Sequence, residues 1–314
     1  MRDIRLRVVL IFIVFPIIMF CQHKETDRFK AFFLLGQSNM VGYGNNKDLP
    51  ESLNQEFANV FIFHGNPSVV NDSLAGLGKW ERLKPGHGEM FSFDGHENIM
   101  SNLFGAELSF AKRMQELYPN EKIAIIKYSH GGTSIDSIQK VASWDPEYNG
   151  DKDKMGINQY DFFLRTMQNA YAISDIDADG HPDRLIPSGI VWMQGESDGV
   201  HTEEVALRYY TNLKRLMDLI RAALHKDDLP VVIGKISDSG MNKEGKMWKY
   251  GELVQYAQEK YARIDKNAAI VRDTKEYGYS DGAHYNSAGY VSLGESFASL
   301  LYELIMNKHE KQNI

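Results

Sequence analysis

Four short stretches of this 314-residue chain carry side chains that together could cleave an ester. Ser38 lies in "GQSNM" (36–40), where an apolar run, "FFLL", stops at a polar cluster with a glycine on either side. Asp281 and His284 lie in "DGAH" (281–284), three residues apart, a spacing that suits a single turn. In such a turn the carboxylate reaches Nδ1 of the imidazole while Nε2 faces Ser38. A serine freed of its proton by a histidine, with an acid fixing the tautomer, is the attacking group of acyl transfer. The charge that then grows on the carbonyl oxygen needs donors. Ser38 N–H, the N–H of Gly131 or Gly132 in "SHGGTS" (129–134), and the Gln194 side-chain amide in "WMQGESD" (192–198) are the candidates. A serine between glycines is on its own more often a turn former than a nucleophile. Asp281 and His284, in the matching order, turn the reading toward catalysis.

The elements that must carry these residues follow from hydrophobic periodicity. Continuous apolar runs at 31–35, 59–63, 122–129, 188–195, 229–234 and 268–273 read as buried strands. Between them lie helical patterns. Ala106, Phe110, Met114 and Leu117 share one face of 105–119, and Val205, Tyr209, Leu213, Leu216, Ile220 and Ala223 share one face of 203–224. Further helices are expected near 160–173, 250–264 and 288–305. Such alternation indicates a mainly parallel sheet covered on both faces, an α/β fold. Ligands of such sheets bind beyond the carboxyl ends of the strands, where the polar clusters fall. Residues 64–102 read as a long irregular stretch, of the kind that is functional or disordered.

"GQSNM", the glycines after a middle strand, "WMQGESD" and the late "DGAH" resemble the SGNH hydrolase superfamily. They are most similar to its sialate O-acetylesterase/acetylxylan esterase branch, carbohydrate esterase family six. The resemblance covers 31 to about 300. It implies a three-layer α/β/α sandwich and an esterase acting on acetylated carbohydrate, either acetylated xylan or another glycan, or O-acetyl sialic acid. Ser38 becomes the nucleophile, Asp281 and His284 complete the triad, and Gln194 takes the oxyanion role with Gly131 or Gly132. Asn39 is expected to brace the Ser38 turn, and Glu196 and Asp198 to bond neighbouring loops. A lipase- or thioesterase-like hydrolase and a non-catalytic glycan-binding surface protein are the alternatives.

Composition bounds the rest. With 43% hydrophobic and 11% aromatic residues, 35 basic against 42 acidic side chains and no block of like charge, the chain is globular and shows no nucleic-acid footprint. Arg2, Arg5 and Arg7 before the apolar run Val8–Phe20 read as an export signal over 1–21. Cys21, the only cysteine, resembles the lipid-acceptor position of a bacterial lipoprotein, although Phe20 is bulky where such signals carry a small residue. The expectation is an exported protein, periplasmic, secreted or held to a membrane only through that lipid, with one esterase domain over 27–310. No cofactor is needed for the chemistry. Asp175, Asp177, Asp179 and Asp183 in "DIDADGHPD" copy the opening of a calcium loop, but Ile186 replaces the closing glutamate, so a plain Asp/Gly turn stands beside a structural calcium site. His130, Trp80, His87 and His96 could contact substrate or pack a loop.

Overall fold

Residues 26–68, 72–138, 142–148 and 158–312 are described by a computed structural model. Residues 1–21, expected from the sequence to be an export signal, lie outside these residues, Cys21 included. Seven strands make the central sheet: β1 (Arg28–Gly36), β2 (Val60–His64), β3 (Trp80–Arg82), β4 (Lys122–Ser129), β5 (Arg184–Met193), β6 (Val231–Gly234) and β7 (Ala268–Val271). Their spatial order is β7-β6-β5-β1-β4-β2-β3. All neighbours are parallel except the edge pair β2–β3. The six apolar runs read from the sequence each supply one parallel strand. Edge strand β3 was not anticipated, because only three residues form it and two of them, Glu81 and Arg82, are charged.

The helices are α1 (Ser38–Val41), α2 (Glu107–Leu117), α3 (Gln159–Ala172), α4 (Glu196–Val200), α5 (Glu203–Ala223), α6 (Gly251–Ile264) and α7 (Ser287–Gln312). Successive residues of β1 point to opposite faces, and they show the layering directly. Phe32 meets Phe110 of α2 edge-on at 5.4 Å, whereas Phe33 meets Phe163 of α3 at 6.5 Å. On the first face α2 is joined to α7 through Arg113 Nε and Ser299 Oγ, 3.2 Å. On the second, Tyr160 of α3 donates to the Leu219 carbonyl of α5 at 3.3 Å, and Lys260 of α6 lies over the Tyr210 ring of α5. The fold is therefore the expected three-layer α/β/α sandwich.

The stretch 64–102 is built into the fold. Trp80 enters β3 and its indole donates to the Ala170 carbonyl of α3. Two short ribbons, Gly44–Asn45 with Leu103–Phe104 and Ser92–Phe93 with Asn98–Ile99, shape the rest. The chain passes from β1 to one side of the sheet and, after β4, crosses to the other, so its topology reverses beside β1. The carboxyl end of β1 is thus where a crevice is expected.

Candidate active site

Parallel register brings three polar clusters to one height. Gly36, the last residue of β1, pairs with Ser129 of β4 on one side and Met193 of β5 on the other. The next residues, Gln37-Ser38, His130-Gly131 and Gln194-Gly195, consequently leave the sheet together. Gly36 is required here: its φ is +150°, and a Cβ would lie 2.0 Å from the Met193 carbonyl oxygen.

Ser38 opens α1, a single turn too short to be stable by itself. It is held from both ends. Lys127 of β4, fully buried, donates to the Val41 carbonyl at the end of α1 (2.8 Å), to the His87 carbonyl (2.7 Å) and to Glu107 Oε2 (2.8 Å). Burial pushes the Lys127 ammonium down while the Glu107 carboxylate opposes that push. Asn39 clasps the other side. Its Nδ2 donates to Glu196 Oε1 (2.7 Å) and to the Ala283 carbonyl (3.1 Å), and its Oδ1 accepts from Tyr285 N–H (3.3 Å) and the Tyr290 hydroxyl (2.9 Å). Ala283 and Tyr285 flank His284. The residue after Ser38 therefore holds both neighbours of the histidine.

The "DGAH" turn forms as its spacing suggests. Asp281 Oδ1 accepts the N–H groups of Ala283 (2.7 Å) and His284 (2.8 Å), while Oδ2 lies 2.8 Å from His284 Nδ1. Burial works to raise the Asp281 carboxyl, but the His284 ring and these two N–H groups outweigh it and hold it below its usual value. With Nδ1–H assigned as donor to the carboxylate, Nε2 carries the free lone pair. The Tyr43 ring stacks on His284 at 3.7 Å and 10°. A Cβ on Gly131 would lie 3.6 Å from Ser38 Cβ and 3.8 Å from Tyr43 Oη, so serine, glycine, tyrosine and histidine border one space. Ser38 Oγ makes no hydrogen bond to His284 in this structure; such bonds often tighten only once substrate is bound.

Gln194 departs from its expected role. Its side chain is fully buried, and Nε2 donates to the Thr133 carbonyl (2.9 Å), Asp198 Oδ2 (2.5 Å) and Gln37 Oε1 (3.2 Å). Its Oε1 accepts from the Tyr209 hydroxyl at 3.0 Å. With both amide hydrogens engaged inside the protein, Gln194 has none to offer an oxyanion as placed here. Ser38 N–H and Gly131 N–H make no hydrogen bond to described residues. Gly132, at φ +70°, supplies the tight turn beyond them.

Glu196 and Asp198 are buried braces. Asp198 accepts from Ser134 Oγ (2.7 Å), and burial pushes its carboxyl up to about 7 against the pull of Ser134, Gln194 and the Ile135 N–H. Burial also raises Glu196, whose Oε2 has no partner. Gln37, not singled out from the sequence, joins the blocks: its Oε1 also accepts the N–H groups of Gly195 and Ser197, each 3.3 Å. Its signal was only its place beside Ser38. Tyr43 and Lys127 were likewise missed, although a lysine within a strand as apolar as β4 implies a buried partner.

A cavity of about 400 Å³ opens beside Tyr43 and Gly131, lined also by Glu89, Met90, Phe91 and His130. His130 is thus at the site, with Nδ1 2.8 Å from the Gly131 carbonyl. His87 is buried behind it, Nδ1 3.4 Å from that of His64. Trp80 packs β3, and His96 sits in an exposed turn capped by Asp94.

The acidic loop before β5 lies at the opposite end of that strand. Asp175 accepts from Asp179 and Gly180 N–H, Asp179 from His181 N–H, and Asp183 from Ile176 N–H. Lys122 forms ion pairs with Asp27 and Asp177. Carboxylate oxygens of Asp175, Asp177 and Asp179, and of Asp27, Asp177 and Asp183, come within 4.8 Å of one another, close enough to share an ion.

Comparison with known proteins agrees with this fold. Solved structures with the same fold include a protein from Arabidopsis thaliana (20% identity, TM-score 0.62, covering 90% of this chain and all of that one). A carbohydrate acetylesterase from Xanthomonas citri (17%, 0.56, 88% and 57%) and NanS (13%, 0.58, 88% and 98%) are also similar. No match was found among curated proteins. The family model described as "Carbohydrate esterase, sialic acid-specific acetylesterase" matches residues 28–303. That span takes in every element placing Ser38, Asp281 and His284, and the chain belongs to this family of carbohydrate esterases.

Proposed function

We propose that the protein is a serine esterase that removes O-acetyl groups from carbohydrate hydroxyls through an acyl-enzyme. The observation that carries this reading is the Asp281–His284 pair at 2.8 Å, clasped by Asn39 to the turn that begins with Ser38. His284 Nε2 takes the Ser38 proton as Oγ attacks the ester carbonyl, and Asp281 stabilises the imidazolium that forms. Ser38 and Gly131 N–H groups receive the oxyanion. His284 then protonates the departing sugar hydroxyl, and water, deprotonated by His284, hydrolyses the acetyl-serine by the same route.

The match to a carbohydrate esterase family over residues 28–303 favours this reading over a lipase. The presence of Ser38 together with the bonded Asp281–His284 pair favours it over a lectin. Ser38→Ala should abolish turnover of p-nitrophenyl acetate and release of acetate from an acetylated glycan, leaving the circular dichroism spectrum unchanged. Retained turnover in that variant removes Ser38 as nucleophile.

A further inference from the structure

The cavity beside the triad has a charge that bears on which sugar enters it. Tyr43 joins the cavity to His284: one face of its ring stacks on the imidazole, and its side chain lines the cavity. The Glu89 carboxylate stands against the Tyr43 hydroxyl and close enough to act on His130, and the Glu89 N–H is fixed by the Gly42 carbonyl at 2.8 Å. Among the described residues lining the cavity, Glu89 is the only acid, and none is a lysine or arginine. Burial holds His64 and His130 toward their neutral forms. Buried Lys127 feels the Glu89 charge but is bound to Glu107 and does not line the cavity. Met90 forms an apolar lip: it is 77% exposed and sits at φ +70°, a backbone conformation sparsely used by residues with a side chain. Phe91 backs the cavity by stacking on His64 at 3.9 Å.

Polar hydroxyls and the apolar face of a sugar ring both find partners in such a space. A carboxylate on the sugar would meet Glu89 with no lining cation to offset it. We infer that this cavity is the sugar-side subsite and that Glu89 makes the enzyme select O-acetylated glycans lacking a carboxylate over O-acetylated sialic acid. The inference rests on the esterase reading above and narrows its substrate class.

The cleanest test changes charge alone. Acetate release is measured from 9-O-acetyl-N-acetylneuraminic acid and from its methyl ester, with acetylated xylo-oligosaccharide as the neutral glycan. The wild type should turn over the methyl ester with a kcat/KM about tenfold above that of the free acid at low ionic strength. That ratio should shrink in 1 M NaCl, where the screening length falls to about 3 Å. Glu89→Gln should bring it close to one, and Glu89→Lys should invert it. Equal or better turnover of the free acid by the wild type, or a ratio unmoved by salt and by both variants, overturns the inference. Failure of the esterase reading is separately visible as no hydrolysis of p-nitrophenyl acetate by the wild type.

Discussion

Replacing Asn39 by alanine tests how the triad is assembled, because this one side chain joins three segments far apart in the chain. Removal leaves Glu196 Oε1 and the Ala283 carbonyl without their donor, and Tyr285 N–H and the Tyr290 hydroxyl without their acceptor. Each buried group so orphaned costs about 1–3 kcal/mol, more for a charged one. The four together would exceed 4 kcal/mol if nothing relaxed, and water entering the small void recovers part of that. A net loss of about 3–4 kcal/mol is therefore expected, a large part of the ~5–15 kcal/mol that holds a typical domain together. The variant should stay folded at 25 °C with a lower urea midpoint. Because Ala283 and Tyr285 flank His284, kcat/KM for p-nitrophenyl acetate should fall about 100-fold in protein that circular dichroism shows to be folded. Urea unfolding and steady-state kinetics on the same preparation decide it. A loss below about 1 kcal/mol with a rate within twofold of wild type would refute the view that Asn39 holds the two catalytic loops in register.

Asp281→Asn should keep the turn, since an amide oxygen can still accept from Ala283 and His284 N–H, yet lower kcat by about 10⁴ by favouring the wrong imidazole tautomer; kinetics within tenfold of wild type would exclude Asp281 from the triad. Asp198 makes a pH prediction. Its carboxyl is raised from 3.8 to about 7 in the folded protein, so its contribution to stability is complete below pH 4 and is lost as the pH rises through 7. The loss is at most about 4 kcal/mol. Asp198→Asn should flatten the fall in urea midpoint between pH 4.5 and 7.5, and parallel profiles for variant and wild type would contradict it. At the 175–183 loop, Lys122 already supplies positive charge to Asp177. We therefore expect millimolar calcium to leave the melting temperature and esterase rate unchanged; a rise of several degrees would instead mark an ion held by these carboxylates.

The strands were readable because a sheet covered on both faces writes itself as continuous apolar runs. Helices α2 and α5 were readable because each buries one stripe. What the sequence hid depends on contacts between distant segments. Edge strand β3 owes its place to pairing with β2 and to Trp80 reaching α3, neither of which leaves a periodic trace over three residues. The Asn39 clasp spans 157 residues to Glu196 and 251 to Tyr290, so a local reading sees only a turn-forming asparagine. The Lys127–Glu107 pair could have been suspected from a lysine inside β4, but the acid that answers it opens a helix on one face.

Gln194 shows why a position at the right strand end does not determine a role. Sequence places its backbone on the same rim as Ser38, and register confirms the height. Which acceptor captures its amide hydrogens depends on Thr133 from another strand end and on Asp198 one helical turn onward. The "QGESD" spacing carried that second partner in plain view, four residues downstream. With the amide engaged, the mechanism proposed above leaves the oxyanion to the backbone N–H groups of Ser38 and Gly131. Side-chain substitution cannot remove such donors, but it can fill the space in front of them. At Gly131 a methyl group would make ordinary contact with Ser38 and Tyr43 at 3.6 and 3.8 Å, whereas anything larger would occupy the volume the acetyl carbonyl needs. On the proposed mechanism, Gly131→Ala should therefore fold normally and lose part of its rate, since no positive φ demands glycine there and only the room for substrate is reduced.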